Sequence, residues 1–228
     1  MTYFRARRAA AAGACLMLHV TSGCAQGQAA TGMPGALPQR SAAIADTNGA
    51  GLIPSGYGTL KQDDVAIKLQ LPDVIMKLIP LDEGVIRVLS VDSYRALHDL
   101  GGSRTAAVRR LVSQHGLLRG TLWYVSFYGL ASDARFSPLE VTITSAGQDF
   151  RPLEVLPVSG GFGEQRLQPR VTQTALYLFD DALDVNQPLI VSFGSERNSG
   201  WSNILSTIER ERALVRSRAL SNAPPKSP

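Results

Sequence analysis

Cysteine, histidine and long apolar runs are all scarce in this chain of 228 residues. Its two cysteines, Cys15 and Cys24, both fall near the start. The sequence after Cys24 therefore has no disulfide framework, no thiolate metal site and no cysteine nucleophile. Of the three histidines, His19 lies in the opening segment, and only His98 and His115 follow. No His-Glu-x-x-His pattern occurs, and two isolated histidines without cysteine do not make a zinc site. The longest apolar run, Ala9 to Gly23, spans roughly 22 Å as a helix. A bilayer core is about 30 Å thick, so this run is too short to cross it comfortably, and no later segment approaches its length. Excess charge is also missing. The formal +4 and the pI of 9.3 trace to Arg5, Arg7 and Arg8, in a stretch without Asp or Glu. Beyond residue 23 there remain 20 of the 23 basic residues against all 19 acidic ones. A nearly neutral domain has no electrostatic footprint for nucleic acid.

What is present begins with that opening segment. A basic start, a short apolar stretch and the small residues Ser22 and Gly23 before Cys24 have the form of an export signal. Thr21-Ser22-Gly23-Cys24 resembles the lipobox of bacterial lipoproteins, with Thr21 where that motif usually carries leucine and Leu16, Met17 and Leu18 supplying the apolar centre. The resemblance covers about the first 25 residues. It implies that residues 1–23 are removed and that Cys24 becomes the acylated first residue. Each buried methylene favours membrane association by about 0.8 kcal/mol, and two or more chains make a stable anchor. Ala25, not Asp, follows Cys24. In a Gram-negative cell this resembles a lipoprotein sent on to the outer membrane, facing the periplasm.

Residues 24–51 are rich in small and polar residues, carry Pro34 and Pro38, and lack a hydrophobic period. They are expected to be a flexible tether. Residues 52–219 are expected to form a single β-rich domain, long enough to bury a core without disulfides. A disordered tail, 220–228, closes the chain.

Within the domain the leading signal is period two. Val65, Ile67, Leu69 and Leu71 alternate with polar or small residues, as do Leu139, Val141 and Ile143. Val74–Leu81 and Val85–Val91 are apolar enough for two strands separated by a turn at 82–84. Leu122–Tyr128 and Ala175–Phe179 are apolar on both faces, which places them centrally or under a helix. Pro152 and Pro157 demote the strand between them to an edge. Turns are expected around Gly147 and from Asp184 to Pro188. Helical patterns occupy about 92–115 in two pieces, and about 201–218, where Trp201, Ile204, Leu205, Ile208 and Val215 make one stripe that Arg212 interrupts. The fold class is mainly β: an antiparallel immunoglobulin-like sandwich with a short helical insertion and a C-terminal helix. The immunoglobulin comparison rests on the patterning of 118–194 alone.

Candidate chemistry is thin. His98 and His115 stand near expected helix ends and are read as facing terminal carbonyls. Asp180, Asp181 and Asp184 have no turn glycine for a calcium loop and are read as a solvated hairpin. Ser159–Gly163 lacks the lysine and hydroxyl of a phosphate loop. Trp123, Tyr124, Phe127 and Tyr128 are read as core. Arg210, Arg212, Arg216 and Arg218 interleave with Glu209 and Glu211 as an exposed charged face. Binding loops are expected at Phe162, taken as an exposed tip, and at Arg197 and Trp201. No catalytic residue, metal or cofactor is expected.

The function expected is therefore that of a lipid-tethered, non-enzymatic interaction or assembly module of the cell envelope. Its partner would be a protein, peptidoglycan or another polysaccharide. The alternative is a small-ligand carrier with a cleft between sandwich and helix, lined by Trp123, Tyr128 or Trp201. A hydrolase ranks third.

Overall fold

The computed structural model describes residues 53–221. The expected signal peptide, Cys24, the tether and the chain end from 222 on lie outside the described residues. Eleven strands and four α-helices follow one another within them. They are β1 (Ile67–Gln70), β2 (Val74–Pro80), α1 (Glu83–Ile86), α2 (Val91–Ser103), α3 (Thr105–Gln114), β3 (Gly120–Gly129), β4 (Ala134–Arg135) and β5 (Thr142–Ser145). Then come β6 (Gln148–Phe150), β7 (Glu154–Pro157), β8 (Arg166–Leu167), β9 (Thr172–Asp180), β10 (Leu189–Phe193), β11 (Glu196–Asn198) and α4 (Trp201–Ser221). The domain is mainly β, with antiparallel sheets and a C-terminal helix.

One sheet has the order β1-β2-β3-β9-β7 and the other β11-β10-β5-β6, with β4-β8 as a separate pair. Side-chain alternation builds the core. Trp123, Val125 and Phe127 of β3 point inward, in register with Tyr177, Ala175 and Gln173 of β9 and with Pro80, Leu78 and Met76 of β2. Leu189, Val191 and Phe193 of β10 are buried from the other sheet. The rings of Phe127 and Phe193 lie 5.6 Å apart, so the two sheets meet face to face. Burying one such large side chain stabilises by about 1.5–3 kcal/mol.

The second face of the larger sheet explains the two-sided strands. Leu176 and Leu178 are fully buried there, opposite Tyr124 and Leu122. A β-carbon on Gly120 would lie 3.2 Å from Val112 of α3 and 2.3 Å from Leu178, so the helical insertion packs directly on this face. Pro157 sits in β7, an edge strand, as its missing N–H requires.

Three local readings are corrected. Residues 85–91 do not form a strand: Asp82 caps α1 by accepting from the amide of Gly84 at 2.8 Å. Val85, Ile86, Val88 and Leu89 are all buried, which hides any period. Leu139 is not an inward strand residue. Pro138 starts a short 3-10 turn, Pro138–Glu140, and β5 begins only at Thr142. The chain from Asp180 to Asp184 is not a hairpin, because β9 and β10 belong to different sheets, whereas the turn between Asp184 and Pro188 is present. The turn at Gly147 lies one residue earlier than its polar neighbours suggest. Ala146 (φ 49°) and Gly147 (φ 80°) make it, which is the left-handed pair a two-residue hairpin needs.

Helix α4 carries the stripe Trp201, Ile208 and Val215, joined by the buried polar residues Glu211 and Arg212. Arg212 Nε donates to the carbonyl of Gly84 at 3.1 Å, and Arg218 donates to that of Tyr57 at 2.8 Å. The helix thus clasps α1 and the segment leading into β1.

Candidate functional site

Strands β6 and β7 are consecutive in sequence and each is the outer strand of its sheet. Leu139, just ahead of β5, is 64% exposed, with a shallow groove on either flank. One groove, of about 420 Å³, is lined by Leu139, Glu140, Thr142, Arg151 and Gly194. The other, of about 260 Å³, runs past Pro138, Val155 and Pro157 to Phe162, Gly163 and Gln165. The first offers a cation, a carboxylate and a hydroxyl beside one apolar side chain. This set can recognise an extended partner by pairing and contact. Neither lining contains a histidine or cysteine.

A second polar cluster centres on Glu83. Its carboxylate accepts from Arg87 Nε at 2.6 Å, and its other oxygen lies 2.8 Å from His98 Nδ1. Tyr94 Oη approaches it at 3.4 Å, and the Tyr94 ring stacks on His98 with centroids 5.1 Å apart. Burial, and then the charge of Glu83, push the Tyr94 hydroxyl above its ordinary value. A carboxylate that orients an imidazole is half of a catalytic triad, yet no hydrogen bond joins His98 to a serine or threonine among the described residues. What the cluster does is tie α1 to α2. His115 makes a similar tie, from the end of α3 to Glu154 of β7 at 3.1 Å. Both histidines pair with carboxylates rather than with helix-terminal carbonyls, and His98 sits inside α2 rather than at its end.

The third cluster holds α4. Glu211 accepts from the amide and hydroxyl of Thr59 at 3.0 and 2.8 Å, and from Arg218 at 2.7 Å. Burial alone would raise its carboxyl pKa. The hydrogen bonds from Arg218 and Thr59 outweigh that and hold it below the ordinary value. Arg212 pairs with Glu209. Arg212 and Arg218 are therefore structural, not part of an exposed charged face.

The expected binding residues do not converge. Phe162 is a correction: it is not an exposed tip but only 3% exposed. Its ring lies 5.3 Å from Phe136 and 6.1 Å from Phe127, so hydrophobic burial pins the glycine-rich loop inward. Trp201 is likewise fully buried, and its indole N–H donates to the carbonyl of Val185 at 2.8 Å. Trp201 meets Trp123, whereas Phe162 meets Phe127 four residues along β3, so the two sit at opposite ends of the inner face. Arg197 is exposed on β11, opposite Ser192. Trp123 and Trp201 fill the place where a cleft between sandwich and helix would open. Among the acidic residues, Asp180 and Asp184 cap their own turns, at the amides of Ala182 and Asn186. No group of three or more potential metal ligands occurs among the described residues. Also among them, no helix is long and apolar enough to cross a membrane. Leu139 and Arg151 were missed as site residues. Pro138 was the available signal for Leu139, because proline pre-sets the backbone angle of a turn.

Comparison with known proteins finds no matching family model, no matching curated protein and no matching solved structure.

Proposed function

We propose that this chain is a lipid-anchored, non-enzymatic interaction module of a bacterial cell envelope. Cys24 after Thr21-Ser22-Gly23 carries the proposal. Acylation there, followed by the small, polar stretch 25–51, would tether the domain to a bilayer. Ala25 favours the periplasmic face of an outer membrane. The recognition surface we assign is the grooved surface around Leu139, with Leu139 as the apolar contact and Arg151 and Glu140 as polar ones. A shallow, two-grooved surface suits an extended envelope protein or a polysaccharide better than a small enclosed ligand. The proposal includes the finer architectural reading of an immunoglobulin-like sandwich over 118–194. In its support, β3, β9 and β7 share one sheet and β10, β5 and β6 the other.

A photo-crosslinking side chain at position 139, in the chain expressed with its own leader, tests the surface. The expected result is one defined adduct in the membrane fraction, lost when the crosslinker is moved to position 197. Equal adducts at both positions, or none at 139, would remove the assignment.

A further inference from the structure

We propose that the outer face of α3 docks onto an anionic lipid bilayer. Charge is the first observation. Five basic residues of the chain (Arg5, Arg7, Arg8, Arg40 and Lys226) and one acidic residue (Asp46) lie outside the described residues, which leaves 18 of the 23 basic and 18 of the 19 acidic ones. The described domain is formally neutral, yet its charge is unevenly spread. From Leu100 to Ser132 there is no Asp or Glu, while Arg104, Arg109, Arg110 and Arg119 fall in that stretch.

Helix geometry is the second. Val112 turns toward the sheet, and both it and Val108, one turn earlier, are half-buried. Steps of about 100° per residue then put Ala106, Arg110, Ser113 and Gln114 on the opposite side, with Arg109 on the flank. All five are exposed, and α3 has no fully buried residue. Arg104, at the start of α3, is exposed too. Among the described residues, no ion pair engages Arg104, Arg109 or Arg110. The arginines of α4 differ, because Glu209 and Glu211 engage Arg212 and Arg218. Carboxylates do occur at the insertion, with Asp92 and Asp99 exposed on α2 and two more on the sheet side. Glu154 faces His115 on the sheet side, and Asp180 stands opposite Gly120, next to Arg119. Arg119 is therefore not counted in the docking set.

An apolar side chain at the rim is the third. Leu118, in the turn after α3, is 92% exposed. Exposed arginines on a helix and an exposed leucine in the turn that follows it match the chemistry of a headgroup layer over hydrocarbon. The docking face extends the tethered reading by orienting the domain at the surface, but it does not need the acyl group.

The test uses the full chain with Cys15→Ala and Cys24→Ala, which leaves no thiol and no lipid anchor. Ser113→Cys in this background, labelled with a polarity-sensitive dye, reports from the outer face of α3. Gln148→Cys, on β6, is the control. With phosphatidylglycerol vesicles the label at 113 is expected to shift to the blue and to resist acrylamide quenching, while the label at 148 does neither. Phosphatidylcholine vesicles should leave both unchanged. Arg109→Gln with Arg110→Gln should raise the lipid concentration for half-maximal shift roughly 25-fold, from about 1 kcal/mol per arginine at a charged surface. An unchanged melting curve for that variant excludes misfolding. Equal shifts at 113 and 148, or no effect of the arginine replacements, would overturn the proposal. A shift produced equally by soluble polyglutamate would overturn it too, by pointing to an acidic chain as the partner. Because every chain in this test lacks Cys24, failure here leaves the anchor untouched, and failure of the anchor leaves this result standing.

Discussion

Trp123 in β3 and Trp201 at the start of α4 lie with ring centroids 6.2 Å apart, and neither is exposed to solvent. The pair joins the C-terminal helix to the sandwich core. Trp201 is also held by its N–H bond to Val185. Trp201→Phe should therefore cost about 1–3 kcal/mol, because it leaves that buried carbonyl without its donor. Tyr177→Phe should be neutral or stabilising by contrast. The Tyr177 hydroxyl is buried without a hydrogen-bond partner among the described residues, and burial pushes its pKa far up. Urea unfolding of both variants checks the pair of signs.

Glu211 should make stability depend on pH in the acid range. Its folded pKa is depressed, so its contribution is fully present above the ordinary value of 4.5 and is lost as pH falls through the folded value. Glu211→Gln should cost about 1.5–3 kcal/mol at neutral pH, the worth of hydrogen bonds to a charged group. The gap between the two melting curves should narrow progressively as pH falls below 4.5. A gap that stays constant with pH would contradict this role.

Phe162→Ala should destabilise by about 3–5 kcal/mol, as for other buried aromatics. An exposed binding tip would cost almost nothing. The same variant should open the loop 159–165 to limited proteolysis, because Phe162 is the buried residue that fixes it.

Two glycines should respond with opposite signs. A β-carbon on Gly58 would sit 2.1 Å from the carbonyl oxygen of Val88, so Gly58→Ala should cost at least about 2 kcal/mol. Gly102 lies within α2 with nothing near its would-be β-carbon. Gly102→Ala should stabilise by about 0.5–1 kcal/mol through helix propensity. Thermal melts of the two variants are sufficient.

The strands were legible where one face is wet. Ile67 and Leu69 alternate with Lys68 and Gln70 because β1 buries only one side. β3 and β9 were legible as central because aromatic and aliphatic residues fill both faces. The edge position of β7 followed from Pro157. Reading failed where burial is complete or local geometry intervenes. Val85, Ile86, Val88 and Leu89 are all buried around Arg87, so the short helix α1 left no period. Phe162 sits among glycines and looks like a loop tip, yet its burial depends on Phe127 and Phe136, which are distant in sequence. The Glu83–His98 contact joins residues with no shared motif, so it could be found only in three dimensions. Leu139 was assigned to the core because its alternation with Val141 and Ile143 continues a true strand pattern past its start. The grooves beside it are formed by segments that no local signal connects.

Mass spectrometry of the protein extracted from the envelope tests the central claim most directly. The account predicts an amino terminus at Cys24 that carries acyl mass on the first residue, and loss of that species in Cys24→Ala. An unmodified mature terminus recovered from the soluble fraction would contradict it.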